Sequence, residues 1–222
     1  MQIKNPTLKP YGENRVTFNV FALSVLLFIC FTVSATAEIK KIVAFGDSLT
    51  AGYGLPQKDA FPVQLEAALR DRGFEIKIEN AGVSGDTSTG GLQRLDWAVA
   101  NGADAVILEL GANDALRGIE PEITRENLDQ IITKLKAKDI PVFLTGMRAP
   151  PNMGAAYAEE FDSLFPTLAD KHDVTFYPFF LEGVAAIPSL NQDDAIHPNR
   201  EGVALIVENM LPSLIEFLKN PK

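Results

Sequence analysis

The sequence predicts an α/β fold in which five parallel β-strands form one sheet and helices cover both of its faces. Three observations support this prediction. Five short runs of β-forming residues recur along the chain. The segments between them repeat apolar residues at three- and four-residue intervals, which is the period of a helix that is buried on one side. Strands that alternate with helices pair in parallel through crossover connections, and sheets of this kind are covered on both faces.

The predicted strands are short, as is usual for a sheet in a domain of this size. Two of the runs, within the segments DAVILEL and IPVFLTG, are almost wholly apolar, which is typical of central strands that are buried on both faces. The five strands are predicted at Lys41–Phe45, Glu75–Glu79, Asp104–Glu109, Ile140–Thr145 and Val174–Tyr177.

Four of the connecting segments have the apolar spacing of helices. The first has a proline near its start, Pro62, and a glycine at its end, Gly73, and both residues are typical of helix boundaries. We expect Pro166 to kink the third helix and Pro212 to bend the last one. The apolar positions predict helices near Phe61–Leu69, Leu128–Leu135, Tyr157–Leu168 and Asn199–Leu218.

Residues 1–37 have the pattern of a secretory signal peptide. Basic residues come first, the apolar run Val16–Val33 follows, and Ser34-Ala35-Thr36-Ala37 has small residues at the spacing that a signal peptidase recognises. We therefore expect cleavage after Ala37, one mature domain at residues 38–222, and a periplasmic or secreted protein. The alternative is an uncleaved membrane anchor, although the apolar run is near the lower length limit for spanning a bilayer.

The composition argues against several classes of function. The chain has 222 residues and a formal net charge of -9, which argues against electrostatic binding of nucleic acid. Its only cysteine, Cys30, lies in the predicted signal peptide, so the mature chain can form neither a disulfide nor a thiolate metal site. Only two histidines are present, His172 and His197, and we interpret His172 as a solvated or helix-capping residue. We therefore predict no transition-metal site.

Four polar or glycine-rich segments follow predicted strands or lie in loops that can reach strand ends. Ligands bind at the carboxyl ends of the strands in open parallel sheets, so these four segments could share one cleft. They are Gly46-Asp47-Ser48, Gly82, Gly111-Ala112-Asn113-Asp114 and Asp194-Ala195-Ile196-His197.

These segments contain the groups that acyl transfer requires: a nucleophile, a base, a residue that orients the base, and donors for an oxyanion. Ser48 supplies a hydroxyl at a strand-to-helix turn. His197 can act as the base, and Asp194, three residues before it, can reach the imidazole Nδ1–H. The backbone N–H groups of Ser48 and Gly82 and the side-chain amide of Asn113 can donate to the oxyanion.

Each of these residues also has a purely structural interpretation. Gly-Asp-Ser is common in turns, and a lone glycine such as Gly82 is more often a turn residue than an oxyanion donor. Asn113 could cap the segment that follows it. Asp193 is a rival to Asp194 as the orienting acid, although its four-residue offset from His197 is less favourable. The functional interpretation depends on the joint occurrence of all four segments at one end of the sheet.

Motifs of other enzymes are absent from the sequence. It contains no Gly-x-Ser-x-Gly elbow, which argues against the common α/β-hydrolase layout. It contains no P-loop, and the glycines of FGDSLTAGYG do not match the Gly-x-Gly-x-x-Gly pattern of dinucleotide-binding proteins.

The ordered segments resemble the conserved blocks of the SGNH, or GDSL, hydrolases. Gly-Asp-Ser-Leu at 46–49, Gly82, Gly-x-Asn-Asp at 111–114 and Asp-x-x-His at 194–197 occur in the order of that family, and the resemblance extends from about Lys41 to the last helix. The segments NAGVSGDTSTGGLQRL, ILELGANDALRG and DDAIHPNREG further resemble the periplasmic acyl-CoA thioesterase, lysophospholipase and arylesterase subgroup. This chain has Ala112 where that subgroup often has glycine, which leaves the backbone shape of this loop open.

The resemblance implies a three-layer flavodoxin-like fold and hydrolysis through an acyl-enzyme. It implies that Ser48 is the nucleophile, that His197 is the general base and then the acid, and that Asp194 orients it. The Ser48 and Gly82 N–H groups and Asn113 would form the oxyanion hole, with no metal or organic cofactor. Apolar residues near these loops are candidates for contacting the acyl group: Leu116, Ile119, Met147, Pro150, Pro151 and Ile196.

The sequence therefore predicts a serine esterase that acts as a monomer on small-molecule acyl esters and thioesters, with lipid substrates among those it could contact. Two alternatives stay open. A carbohydrate O-deacetylase on the same scaffold would act on acetylated sugars and on no longer acyl chain. A non-catalytic binding module, in which the glycine-rich loop holds a ligand, would not react covalently with a fluorophosphonate.

Overall fold

The structure is a computed structural model, and it describes residues 1–4, 6–7 and 39–222. Contacts divide the chain into two units, Met1–Ala37 and Glu38–Lys222. The predicted signal peptide lies almost entirely outside the described residues. Within the described part of the chain, no helix is long and apolar enough to cross a membrane.

One five-stranded parallel sheet forms the centre of the second unit, as predicted. The strand order is β2-β1-β3-β4-β5, which is the order of flavodoxin-like sheets. All residues of β3 and β4 are buried, in agreement with their apolar sequences. The strands are β1 (Lys41–Gly46), β2 (Lys77–Gly82), β3 (Ala105–Glu109), β4 (Val142–Thr145) and β5 (Thr175–Tyr177).

Strand β2 differs from its prediction. It begins at Lys77, two residues later than predicted, and it continues through Asn80-Ala81-Gly82, which have low β-propensity. Backbone pairing with β1 holds these residues in the strand, because the register that joins Lys41 to Lys77 continues until Gly46 pairs with Gly82. Gly82 is therefore the last residue of the strand and does not lie in the loop after it.

In the described part of the chain, seven α-helices connect and cover the strands. Contacts join α3 to α5 and α5 to α6, while α2 contacts α7, so the helices form two layers around the sheet. Both α6 and α7 continue through their internal prolines, Pro166 and Pro212. The helices are α1 (Ser48–Ala51), α2 (Phe61–Arg70), α3 (Ser88–Ala98), α4 (Ala112–Leu116), α5 (Pro121–Lys136), α6 (Ala155–His172) and α7 (Arg200–Lys219).

Helix α3 is one that the apolar spacing did not predict. Two glycines near its start, Gly90 and Gly91, lower its intrinsic helix propensity. Close packing explains them, because a Cβ at Gly90 would lie 1.9 Å from the Asp86 carboxylate and one at Gly91 would lie 2.4 Å from the side chain of Leu110. Tertiary contacts therefore stabilise a helix that its local sequence disfavours.

Candidate active site

Ser48 lies at the turn between β1 and α1, at the carboxyl end of a central strand. Asp47 caps the short helix, because its Oδ1 accepts a hydrogen bond from the Leu49 N–H at 3.0 Å. Ser48 is the first residue of α1, so its N–H has no acceptor inside the helix. The residue is 8% exposed, and it lines a cavity that opens to solvent.

The need for glycine at position 46 is explained by the close approach of neighbouring side chains. A Cβ at this position would lie 2.2 Å from Thr50 Oγ1 and 2.4 Å from Glu109 Oε2. Its φ is not in the left-handed region, so close approach rather than unusual backbone geometry requires a glycine here.

The side chains of Ser48, His197 and Asp194 form a continuous chain of contacts. His197 Nε2 lies 2.9 Å from Ser48 Oγ, and His197 Nδ1 lies 2.7 Å from Asp194 Oδ2. Both distances are within the range of good hydrogen bonds. The serine hydroxyl can therefore pass its proton to an imidazole that is held by a carboxylate.

A tight turn positions Asp194 beneath the imidazole. Asp194 Oδ1 accepts hydrogen bonds from the Ile196 N–H at 3.1 Å and from the His197 N–H at 3.0 Å, while Ala195 has a φ of 64°. Desolvation raises the pKa of Asp194, but the hydrogen bonds from the His197 N–H, the His197 ring and the Ile196 N–H outweigh it and lower the pKa to about 2. The carboxylate is therefore ionised at neutral pH.

Asn113 lies in α4, directly beyond the end of β3. Gly111 precedes this helix with a φ of 117°, a conformation that glycine adopts without strain. One N–H of the Asn113 amide donates to Asp47 Oδ2 at 3.0 Å. The amide carries a second N–H, which can donate to a ligand in the cavity that Asn113 lines.

Gly82 lies outside the cavity lining. Its N–H donates to Asn80 Oδ1 at 2.9 Å, and it is therefore engaged within β2. A Cβ at Gly82 would lie 2.2 Å from the Ala51 nitrogen and 2.8 Å from the Asp47 carbonyl oxygen. The position needs glycine because α1 packs directly against it.

Five residues were predicted for the site. The structure brings four of them together, Ser48, Asn113, Asp194 and His197, whereas the N–H of the fifth, Gly82, donates to Asn80.

A cavity of about 420 Å³ opens beside Ser48 and His197. Of the residues predicted to contact an acyl group, Leu116, Met147 and Ile196 line it together with both prolines of the 150–151 pair, whereas Ile119 does not. Further lining residues were not predicted: Phe179, Leu181, Ala185 and Ala186. The wall is predominantly apolar, as binding of an acyl chain requires.

A larger cleft lies away from the predicted site residues. A second cleft, of about 500 Å³, lies where the start of β5 meets the end of α7, and it contains none of the predicted site residues. Among residues 1–4, 6–7 and 39–222, no group of three or more His, Cys, Asp or Glu side chains could hold a metal ion.

Comparison with known proteins identifies the family. Residues 44–205 match the GDSL-like lipase/acylhydrolase family. The chain belongs to this family. It is 37% identical over 197 residues to a Vibrio mimicus arylesterase, with 88% of this chain and 98% of the relative covered. It is equally identical, over 198 residues, to thioesterase 1/protease 1/lysophospholipase L1 of Escherichia coli K12, with 88% and 94% covered.

A solved structure supports the same assignment. The crystal structure of AlinE4, an SGNH-hydrolase family esterase, is 47% identical and superposes with a TM-score of 0.69, covering 81% of this chain and 96% of AlinE4. The predicted family and α/β fold are therefore confirmed. As a member of the GDSL family, the chain is a carboxylic-ester hydrolase.

Three polar features of this GDSL hydrolase were missed in the sequence. Arg94 in α3 is the first, and it joins the ends of β1 and β2. Its guanidinium donates to the Gly46 and Ala81 carbonyls at 2.8 and 2.7 Å, pairs with Asp86 at 2.6 Å and lies 4.1 Å from the centroid of the Phe45 ring. The sequence does not predict these contacts, because helix α3, which positions Arg94, was not predicted.

Tyr53 is the second feature. Its ring lies beside the His197 imidazole with a centroid distance of 4.6 Å and a tilt of 38°. Gln192 holds the backbone of Tyr53 by donating to its carbonyl at 2.8 Å. The tyrosine is in the FGDSLTAGYG segment, but nothing in the segment indicates that the chain folds back over the histidine.

The third feature is a pair of buried carboxyl groups, Asp47 and Glu109, directly behind Ser48. Burial raises the pKa of Asp47 to about 6, although hydrogen bonds and the charge of His197 act in the opposite direction. Burial and the neighbouring Asp47 raise the pKa of Glu109 well above its usual range. The sequence feature that could have indicated this pair is a glutamate, Glu109, inside the apolar run AVILEL, where a buried charged residue is unusual.

Proposed function

We propose that this GDSL hydrolase cleaves acyl esters and thioesters through a covalent acyl-enzyme on Ser48. His197 acts as general base and then as general acid, and Asp194 orients it. The observation that carries the proposal is the pair of contacts, 2.9 Å from Ser48 Oγ to His197 Nε2 and 2.7 Å from His197 Nδ1 to Asp194 Oδ2. Such an arrangement is the one that serine acyl transfer requires.

In the first half of the reaction, Ser48 Oγ attacks the carbonyl carbon of the substrate while His197 Nε2 takes the hydroxyl proton. The resulting imidazolium lies against the ionised Asp194, which stabilises it. The tetrahedral intermediate then collapses, the bond to the alcohol or thiol breaks, and His197 returns the proton to that leaving group. The acyl group remains on Ser48.

In the second half, His197 takes a proton from a water molecule that attacks the acyl-enzyme. Collapse of this second intermediate releases the carboxylic acid, and His197 gives its proton back to Ser48 Oγ. The enzyme returns to its starting protonation state without any redox step or cofactor.

Two donors are available for the oxyanion without rearrangement: the Ser48 N–H at the start of α1 and the second N–H of the Asn113 amide. The Gly82 N–H is a third donor only if its hydrogen bond to Asn80 is shared or broken when substrate binds. The proposal therefore assigns the oxyanion primarily to Ser48 and Asn113.

The apolar cavity supports acyl chains as substrates. The named activities of the relatives, arylesterase and thioesterase 1/protease 1/lysophospholipase L1, agree with a site that accepts ester and thioester leaving groups of different size. A carbohydrate O-deacetylase would need polar groups for sugar hydroxyls around a small acetyl site, and the predominantly apolar wall favours the acyl-chain substrate.

We also propose that the protein is exported and acts as a monomer. Residues 1–37 carry the basic start, the apolar run and the Ala-x-Ala ending of a cleaved signal peptide. N-terminal sequencing of the protein recovered from the periplasm or medium tests cleavage after Ala37. An intact N-terminus in the membrane fraction would instead support the anchor.

A chain-length series tests the substrate assignment. Hydrolysis of p-nitrophenyl esters and acyl-CoA thioesters from two to sixteen carbons is measured with the wild type and with Ser48→Ala. We expect turnover of acyl groups longer than acetyl and no turnover above background in the variant. Activity confined to acetylated sugars would support the deacetylase, and wild-type activity of the variant would overturn the assignment of Ser48.

A further inference from the structure

Glu109 is a buried titratable group that the proposed mechanism does not use. It is the last residue of β3 and is wholly buried, as is Asp47, the residue before the proposed nucleophile. Glu109 Oε2 accepts hydrogen bonds from the Thr50 hydroxyl at 2.7 Å and from the Asp47 N–H at 3.2 Å. Both donors belong to the turn that presents Ser48.

The second oxygen of Glu109 has no donor. Among the residues that the structure describes, Glu109 Oε1 is the only buried side-chain nitrogen or oxygen without a hydrogen-bond partner. An ionised carboxylate can only accept hydrogen bonds, so a charged Glu109 would leave this oxygen uncompensated in the interior. A protonated Glu109 turns the same oxygen into a donor.

Asp47 is the neighbouring group that can accept this hydrogen bond. The Asp47 N–H already contacts the other oxygen of Glu109 at 3.2 Å, and hydrogen bonding to the Glu109 side chain lowers the pKa of Asp47 against the effect of its burial. The charged and titratable groups that act on this pair are the two carboxyls themselves and His197 across the site. Two carboxyls in one buried site cannot both ionise easily, so one proton is retained between them.

We propose that Glu109 is a positioning residue that stays protonated at neutral pH and donates a hydrogen bond to an ionised Asp47. Asp47 then holds the Asn113 amide through the contact of 3.0 Å from Nδ2 to Oδ2. Glu109 thereby fixes both the turn that carries Ser48 and the side chain that faces the oxyanion. This inference rests on the proposed hydrolysis at Ser48.

Protonation of Glu109 also keeps the net charge of the pair at −1. A second negative charge directly behind Ser48 would repel the oxyanion that forms in the transition state, and it would do so in a dry environment where charges interact strongly. A single charge on Asp47 remains near His197, whose imidazolium forms in the same step.

Variants of Glu109 can distinguish a protonated side chain at this position from an ionised one. Glu109→Gln keeps an oxygen to accept from Thr50 and Asp47, and its NH₂ donates to Asp47 as the protonated acid would. We expect E109Q to keep kcat within about threefold of the wild type, whereas E109M, of similar size and without a hydrogen-bond donor, loses up to about 100-fold in kcat with little change in KM. Equal losses in E109Q and E109M would overturn the proposal.

The matched control is Asp114→Asn. Asp114 is equally buried, but donors reach both of its oxygens, Ser88 Oγ and Thr124 Oγ1 at Oδ1 and the Ser88 N–H at Oδ2. An amide NH₂ at this position would face donors, so we expect D114N to lower the thermal unfolding temperature and E109Q to leave it unchanged or raise it. A lower unfolding temperature for E109Q than for D114N would contradict a neutral Glu109.

An infrared spectrum tests the protonation state without any activity assay. We expect the wild type at pH 7.5 to show the carbonyl absorption of a protonated carboxylic acid, and E109Q to lack it. Absence of the band in the wild type would overturn the proposal even if E109M fails to fold. The proposed function fails separately, if the folded wild type hydrolyses no ester in the chain-length series.

Discussion

Asn113 Nδ2 donates to Asp47 Oδ2 at 3.0 Å, and this contact joins α4, which follows β3, to the turn after β1. Because one N–H of the Asn113 amide is held by Asp47, the orientation of the amide and of its second N–H is fixed as well. The acid of the Gly-Asp-Ser sequence therefore does more than cap α1, since it sets the orientation of a proposed oxyanion donor.

Asp47→Asn should break this relationship. Asp47 accepts from Asn113 on one oxygen and from the Leu49 N–H on the other, so an asparagine in either orientation places its NH₂ against a donor. We expect kcat for p-nitrophenyl butyrate to fall by up to about 100-fold, because a small misplacement of a positioned catalytic group can cost this much, while KM changes little.

The double variant D47N/N113A shows whether Asp47 acts through Asn113. Loss of one oxyanion donor costs about 10²–10³-fold in kcat, and D47N should add little to the effect of N113A if the two act as a unit. Multiplicative losses in the double variant would assign Asp47 a separate role.

The acid limb of the pH–rate profile should reflect the proposed base and Asp47, but not Asp194. The pKa of Asp194 is about 2, so this carboxylate stays ionised from pH 4 to 9 and cannot cause a loss of rate there. The rate should instead fall as acid protonates the His197 imidazole, which then no longer accepts the serine proton. Protonation of Asp47, whose pKa is about 6, should weaken its contact with Asn113 and add to the fall in rate. Measurement of kcat/KM from pH 4 to 9 should therefore give a slope above one below pH 6 in the wild type and a slope of one in D47N. A slope of one in both proteins would show that the charge of Asp47 does not contribute.

Tyr53 should stabilise the imidazolium that forms during the reaction. Its ring lies 4.6 Å from the His197 ring, within the range in which an aromatic face attracts a cation. Tyr53→Ala should therefore lower kcat by about 3–30-fold, the equivalent of the usual cation–π energy, and move the acid limb toward lower pH. Tyr53→Phe keeps the ring and is the control. Equal effects of both variants would point to the hydroxyl instead.

The buried Glu109 should make folding stability depend on pH. Its pKa is raised in the folded state above the unfolded value of 4.5, so the stability it contributes is present below pH 4.5 and is lost as pH rises toward the folded pKa. Relative to the wild type, E109Q should gain up to about 1.4 kcal/mol per pH unit between pH 6.5 and 8.5.

Urea unfolding at several pH values measures this difference. The chosen range lies above the pKa of about 6 for Asp47, which titrates in both proteins and would obscure the comparison at lower pH. Parallel stability curves for the wild type and E109Q would show that Glu109 does not hold a proton in the folded state.

Arg94 should contribute to folding through its contacts with β1 and β2. It donates to two backbone carbonyls and pairs with Asp86, and both side chains are less than one-fifth exposed. Arg94→Ala leaves the Asp86 carboxylate without its ion pair and removes two hydrogen bonds to backbone carbonyls, so we expect a loss of about 2–4 kcal/mol in the free energy of unfolding.

Arg94→Lys is the control for charge. A lysine ammonium cannot reach three acceptors in a planar fork, so we expect only partial recovery of stability in urea unfolding. Full recovery would show that the positive charge alone, and not the geometry of the guanidinium, stabilises the strand ends.

The parts of the fold that the sequence predicted are those with strong local patterns. The apolar runs of β3 and β4 and the spacing of α2, α5, α6 and α7 reflect burial, which is a property of each segment by itself. Helix α3 and the end of β2 depend on partners that are distant in sequence. Two glycines in α3 and the Asn80-Ala81-Gly82 end of β2 have local propensities that tertiary contacts override.

The same distinction applies to the site. Ser48, Asn113 and His197 could be predicted to meet because the carboxyl ends of parallel strands lie at one edge of a sheet. Two details could not be predicted: the donation of the Gly82 N–H to Asn80, and the position of Tyr53 against His197. Both depend on side-chain conformations that no spacing specifies.

Covalent labelling followed by mass spectrometry tests the role of Ser48 most directly. The wild type is treated with a fluorophosphonate, digested and sequenced by fragmentation, with Ser48→Ala and His197→Ala treated in parallel. The proposed mechanism predicts one adduct, on Ser48, which is absent from S48A and forms far more slowly in H197A because the hydroxyl then lacks its base. An active wild type that forms no adduct, or an adduct on another residue, would contradict it.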